Sequence, residues 1–200
     1  MSNETNLSEP AIETPAPRKL AYSLFALAAL MWVTLWSMGR VWWCEKGDWL
    51  PWSFDVMSSH NSQHLFDPYA LSHFEHGLGL WLLLSLILPA RVSAYSKIMA
   101  IAVIEVGWEI LENTPMVIQR YREATVSLDY FGDSIANSTS DYLMCLAGIW
   151  LARRIDWRAC VGVLVALEII SLLWIRDSLL INIIMLTYPI DAIREWQSAG

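Results

Sequence analysis

All four histidines of the chain, His60, His64, His73 and His76, fall in one stretch, "SHNSQHLFDPYALSHFEHG" at 59–77. Neutral imidazole beside carboxylate is ligand chemistry for Zn²⁺, Mn²⁺ or Fe²⁺, and equally the material of a proton relay. Carboxylates recur further along at helical spacing. Glu105, Glu109 and Glu112 are four and three apart and are followed by Asn113; Asp133, Asn137 and Asp141 are each four apart. Residues so spaced share one face of a helix, as do His73 and His76, three apart. Three stripes of His, Glu and Asp/Asn thus converge if the chain brings them to one level.

Each residue type has a role in such a site. Glu109 or Asp141 is the candidate general base, which must stand within hydrogen-bond reach of the proton it takes. His73 and His76 are the candidate metal ligands or proton carriers, and Glu112, Asn113, Asp133 and Asn137 complete a binding site. Arg120 and Arg122, in "RYR", match phosphate or carboxylate bidentately. They are expected to grip an anionic headgroup or to neutralise Glu112. There is no H-E-x-x-H pattern, and Pro68 separates the two histidine pairs. His60 and His64 would form a one-turn pair if helical, but they are read as residues of a wet loop, where imidazole needs no partner. None of the three cysteines belongs to a CxxC pair or lies near the histidines in sequence. Neither a disulfide framework nor a thiolate zinc site is expected.

The elements that would carry these stripes are membrane helices. The 200 residues are 56% hydrophobic with a mean hydropathy of +0.39, above the usual soluble range, and twelve are tryptophan, a residue favoured at membrane interfaces. The formal charge of −7 speaks against nucleic acid as a partner, and membrane lipids are the expected one. Runs of about twenty apolar residues span a bilayer. Five are found, at 20–42, 72–89, 95–113, 134–152 and 157–175, with a possible short sixth at 178–190. The expected fold is an all-α integral membrane bundle over 20–190. It is preceded by a disordered cytoplasmic tail at 1–19 and followed by a C-terminal tail at 191–200. The first run has a mostly acidic leader and no A-x-A site closes it, so it reads as an anchor and not as a cleaved signal.

Positive residues orient the bundle. With the N-terminus in the cytoplasm, the inner side holds Arg18, Lys19, Arg91, Lys97, Arg153, Arg154 and Arg158. The outer side then holds Arg40, Lys46, Arg120, Arg122 and Arg176. The long loops 43–71 and 114–133 fall outside, together with the helix ends that carry the three stripes. Ionisable residues within membrane helices are costly, about 2.5–3.5 kcal/mol each at the centre, and by default mark a functional site facing the bundle interior.

"NSQHLFDPY" (61–69), "HGLGLW" (76–81), "WEILENT" (108–114), "RYR" (120–122) and "SLDYFGDSIANSTSDY" (127–142) together resemble an uncharacterised family of bacterial multi-pass inner-membrane proteins of unknown function. The resemblance covers about 20–190 and implies a plasma-membrane location. More distantly, Glu109/Glu112, Arg120/Arg122 and "GDSIANS" are similar to the Glu…Arg…Asp-x-x-x-Asn order of VanZ-like membrane proteins. The glycine usual soon after the Asn is absent, with Ser138, Ser140 and then Gly148 in its place.

Three functions compete on these grounds. The first is an outward-facing polar pocket that binds, or acts on, a lipid or cell-envelope headgroup, with a divalent metal as its possible cofactor. The second is a scaffold whose polar stripes only pair helices. The third is a proton-coupled transporter using Glu168 in mid-membrane, although no inverted repeat accompanies it.

Overall fold

The computed structural model describes residues 17–125 and 129–199. Residues 1–16 of the expected tail and residues 127–128 of the fifth family motif lie outside the described residues. The described chain is all helix apart from loops and one isolated bridge between Trp52 and Phe66. The helices are α1 (Pro17–Ser37), α2 (Ala70–Ile87), α3 (Ala94–Glu112), α4 (Pro115–Ala124), α5 (Ile135–Ala152), α6 (Trp157–Ile175), α7 (Leu179–Thr187) and α8 (Asp191–Ser198).

Local chemistry sets most of the helix starts. Ser93, Thr114, Ser134, Asp156 and Ser178 each accept a hydrogen bond from a backbone N–H of the first turn that follows. Such caps satisfy donors that have no partner inside the helix. Thr114 followed by Pro115 explains why the segment 114–133, expected as a plain loop, opens with α4, since proline is well suited to the first helical position. Residues 17–19, assigned to the tail, are the first turn of α1, and 191–198, assigned to the other tail, form α8.

The number of helices that qualify as spans by length and composition is lower than the five or six crossings expected. Among the described residues, three helices are long and apolar enough to span a membrane: α1, α2 and α6. The reason is the chemistry itself. Helix α3 carries Lys97 and three glutamates in nineteen residues, and α5 devotes its first half to Asn137, Ser138, Thr139, Ser140 and Asp141. Helix α7 has only nine residues.

Helix α2 lies along α5 as the most intimate pair of the bundle, with α6 on the far side of α2. Gly77 and Gly148 make this approach possible. A Cβ on Gly77 would fall on the Cys145 carbonyl oxygen, and one on Gly148 on the Phe74 carbonyl oxygen. Helix α1 packs on α3 and α5 through Met31, Leu35, Ala102, Val106 and Ile135.

Burial is inverted relative to a water-soluble protein. Glu75, Glu105, Glu109, Asn113, Asn137 and Asp141 are buried, while Phe25, Val33, Leu86, Val103, Leu143, Val165 and Leu173 are exposed. The polar stripes of α3 and α5 face inward and their outer faces are apolar. The end where α1 and α3 finish and α2 and α5 start is therefore both the most polar part of the interior and the place where the loop 38–69 closes over it.

Candidate functional site

Helix α2 opens without a side-chain cap at Tyr69 and sends His73 and His76 from its first two turns toward α3. The Nδ1 of His73 lies 2.7 Å from Glu105 Oε1, and the Nδ1 of His76 lies 3.0 Å from Glu105 Oε2. One carboxylate thus holds two imidazoles, one on each oxygen. Glu109 Oε1 stands 3.2 Å from His73 Nδ1 but out of hydrogen-bonding geometry, and neither Glu109 oxygen has a hydrogen-bond partner. From the other side, Asp141 Oδ2 is 4.0 Å from His73 Nε2, and its Oδ1 also has no hydrogen-bond partner. His73 is surrounded by three carboxylates, all buried. A buried anion without a partner is costly, so these carboxylates call for a counter-charge or a proton.

A second layer continues the site toward the loop 129–134. The Asn113 side chain donates from Nδ2 to Asp133 Oδ2 at 2.6 Å and accepts the Asp133 backbone N–H at 2.8 Å. Tyr130 donates its hydroxyl to Asp133 Oδ1 at 3.0 Å. Burial pushes the Asp133 carboxyl above the ordinary range. Burial and then the Asp133 charge hold the Tyr130 hydroxyl protonated far above its usual pKa. Asn137 donates from Nδ2 to Asp67 Oδ2 at 3.2 Å and to the His64 carbonyl at 2.9 Å. The Asp67 carboxyl is raised as well, by burial first and by the charge of Asp133 second.

These groups line a cavity of about 250 Å³. His73, His76, Glu105, Glu112, Asp133, Asn137 and Asp141 form its polar wall. Leu80, Ile104, Trp108, Leu179 and Ile183 form an apolar one. Ile104 and Ile183 are about half exposed, so the apolar wall reaches the outer surface of the bundle. Neither Lys nor Arg is among the lining residues.

Of the residues singled out in the sequence, His73, His76, Glu112, Asp133, Asn137 and Asp141 meet at this cavity. Glu109 and Asn113 stand directly behind it. Arg120 and Arg122 do not line it. Arg120 donates from Nε to the Leu186 carbonyl at 2.8 Å and also reaches the Thr187 carbonyl, a favourable cation at the C-terminal end of α7. Arg122 donates from Nε to the Tyr130 carbonyl. Its place is to hold the turn that delivers Asp133, a task shared by Arg40 on the Phe131 carbonyl. Glu168 finds its partner at the start of α7, where Oε1 accepts the Leu180 N–H at 3.0 Å.

His60 and His64 are not wet loop residues. His64 is fully buried and His60 half-buried, in a non-helical turn with Ser62 at φ 58° between them. The sequence reading also missed Tyr69, Trp108, Tyr121 and Asn182, all of which line the cavity. Tyr121 donates to Asn182 Oδ1 at 3.1 Å. Asn182 is the one amide in the short apolar run 178–190, and that isolation was the available signal.

Three comparisons with known proteins bear on this arrangement. The model of a family described as "Protein of unknown function (DUF2585)" matches residues 35–199. The chain is 45% identical over 172 residues to a UPF0314 protein of Sinorhizobium fredii, covering 86% of this chain and 87% of that one. It is 41% identical over 184 residues to a UPF0314 protein of Paracoccus denitrificans, covering 92% and 93%. The likeness to VanZ-like proteins gains nothing from these matches. No solved structure matches the chain.

Proposed function

The chain belongs to the DUF2585 (UPF0314) family of uncharacterised bacterial proteins, and from that premise we propose that it is a multi-pass plasma-membrane protein whose cavity binds a divalent cation and, beside it, the headgroup of a lipid or other amphipathic cell-envelope molecule. The observation that carries this reading is the convergence of His73 and His76 on Glu105 at the polar wall of a cavity whose opposite wall is apolar and reaches the bundle surface. His73, His76 and Glu105 are close enough together to serve as ligands of one ion, as are His73, Glu109 and Glu112. Imidazole with carboxylate suits Zn²⁺, Mn²⁺ or Fe²⁺.

An anionic headgroup gripped by Arg120 and Arg122 finds no support, since neither lines the cavity and each is engaged by backbone carbonyls elsewhere. In an acidic cavity the cation itself supplies the positive charge for such a group. If the site is catalytic, Asp141 is the better base than Glu109, because it lines the cavity while Glu109 lies behind it. The scaffold reading would need the stripes fully paired with no void between them. The cavity and the unpartnered oxygens of Glu109 and Asp141 argue against it. Glu168 is occupied with the start of α7, which speaks against its use as a transporter's mid-membrane carrier.

In this reading α3 and α5 cross the membrane beside α1, α2 and α6, with their polar stripes turned inward and their apolar faces to lipid. The N-terminus is cytoplasmic, because the turns at 91–97 and 153–158 are basic. Cysteine labelling in intact cells, with Cys44, Cys145 and Cys160 replaced, is expected to modify position 46 or 123 without breaching the inner membrane. Labelling only after the membrane is breached would reverse the orientation.

The binding reading is tested on protein extracted into nanodiscs with its native lipids. Native mass spectrometry should find an amphipathic molecule retained by the wild type and lost from Leu80→Trp, which fills the apolar wall. Metal analysis of the same samples should show a divalent ion that disappears in Glu105→Gln. Wild-type protein free of both would sink the proposal.

A further inference from the structure

A second set of ligand atoms meets outside the cavity, in the loop 38–69. Cys44 Sγ lies 3.4 Å from His60 Nδ1, and the same nitrogen lies 3.3 Å from His64 Nε2. Ligand atoms of the three residues all lie within 4.8 Å of one another. Around tetrahedral zinc, with Zn–S of about 2.3 Å and Zn–N of about 2.0–2.1 Å, a sulfur–nitrogen edge measures about 3.5 Å and a nitrogen–nitrogen edge about 3.3–3.4 Å. Both observed edges agree within the tolerance of such sites, about 0.2 Å.

The protons fit a metal better than they fit a hydrogen-bonded cluster. His64 Nδ1 is bonded to the Leu50 carbonyl oxygen, so that nitrogen carries the hydrogen and the Nε2 lone pair faces the other two groups. A metal-binding imidazole is commonly fixed in this way, through its other nitrogen on a backbone carbonyl. His60 Nδ1 cannot serve both neighbours. If it is protonated it donates to His64 Nε2 and turns an N–H on the Cys44 thiol. If it is not, it accepts from the thiol and sets two lone pairs against each other. Cys44 and His64 are buried, 6% and 0% exposed, so water does not readily relieve either contact. A cation with thiolate sulfur and two neutral imidazoles satisfies all three atoms at once.

We infer that Cys44, His60 and His64 form a second divalent-cation site, zinc by its donor set, which staples the loop 38–69 over the cavity. The thiol proton leaves to solvent past half-buried His60 when the cation binds, and a water entering on that side completes the fourth position. The staple bears directly on the cavity roof. Asn61 and Ser62, between the two histidines, are lining residues. The Ser62 carbonyl accepts from Ser134 N at 2.9 Å, and Gln63 Nε2 donates to the Gly132 carbonyl at 2.7 Å. The His64 carbonyl accepts from Asn137. Fixing His60 and His64 to Cys44 therefore fixes the segment that joins the loop to the start of α5. A cysteine sixteen positions away from the nearest histidine gave no sign of this in the sequence.

Cobalt tests the inference independently of the cavity. The full-length chain in nanodiscs, stripped with chelator and titrated with Co²⁺, should develop a sulfur-to-cobalt charge-transfer band together with the visible absorption of a tetrahedral ion. The cavity has no cysteine among its lining residues, and the Cys44→Ser variant separates the loop from Cys145, which stands beside Glu105. Cys44→Ser should abolish the band, and His64→Ala should weaken Co²⁺ binding at this site at least tenfold. Glu105→Gln should leave the band intact while lowering the total cobalt bound by one equivalent if the cavity is also loaded. Absence of the band from wild-type protein at saturating Co²⁺ would overturn the inference without recourse to any variant. So would its persistence in Cys44→Ser, which would assign it to Cys145 or Cys160.

Discussion

Alanine at Gly148 will part α5 from α2 and take the cavity with it. The added methyl would fall on the Phe74 carbonyl oxygen, with the Leu78 N–H close behind. Both are backbone atoms, so no side chain can swing aside. Overpacking a tight interior costs about 1–3 kcal/mol when side chains can adjust, and more when backbone must move. Gly148→Ala is expected at or above the top of that range, and Gly77→Ala, which meets the Cys145 carbonyl oxygen, beside it. Gly162 is the control. A Cβ there meets nothing, so alanine should be neutral, or stabilising by up to about 1 kcal/mol through helix propensity. Thermal melts in detergent, read by size-exclusion chromatography, compare the three. A Gly148→Ala protein that melts with the wild type would mean that α2 and α5 do not approach as described.

The second large effect is expected at Glu105, whose two oxygens hold His73 and His76 with no exposure to solvent. Removing one partner from a buried ion pair costs about 3–5 kcal/mol, because the other is left uncompensated. Glu105→Ala should therefore lose stability on that scale and strand both imidazoles. Glu105→Gln keeps the volume and one acceptor oxygen, so it should retain most of the fold while losing the bound cation. His73→Ala should resemble Glu105→Ala, since His73 faces three carboxylates. His76→Ala should be milder, its side chain being partly exposed. His64→Ala belongs with the damaging substitutions, contrary to what a wet-loop reading implies. Melting temperature and metal content measured on the same preparations separate a structural from a ligating role. Wild-type values of both in Glu105→Ala would remove Glu105 from the centre of the site.

What could be read in the sequence is what is encoded locally. Helices α2, α3, α5 and α6 follow from apolar runs bounded by Ser93, Ser134 and Asp156. The stripes follow from spacings of three and four, because a helix places such residues on one face whatever surrounds it. Alternation of helices then brings the start of α2, the end of α3 and the start of α5 to one level, which is why His73, His76, Glu112, Asp133, Asn137 and Asp141 were identified together. Hydropathy counts polarity without regard to which way it faces. That is why α3 and α5, whose carboxylates and amides point inward, fall short as spans by composition.

The tertiary structure decided everything that depends on approach between distant segments. Arg120 and Arg122 carry the same charge and reach wherever they lie. Only the position of the α7 carbonyls and of the 129–133 turn committed them to backbone instead of ligand. Glu168 looked like an isolated membrane charge until the N-terminal end of α7 was placed against it. The approaches of Gly77 to Cys145 and of Gly148 to Phe74 join residues 68 and 74 positions apart, and nothing in either local sequence announces them. Cys44, His60 and His64 lie in a loop without periodicity, so no spacing rule could bring them together. Their meeting is fixed by the Phe66 bonds to Pro51 and Ser53 and by the fit of the loop over the cavity. Periodic backbone projects its side chains predictably from sequence, whereas an aperiodic loop takes its shape from the surface on which it closes.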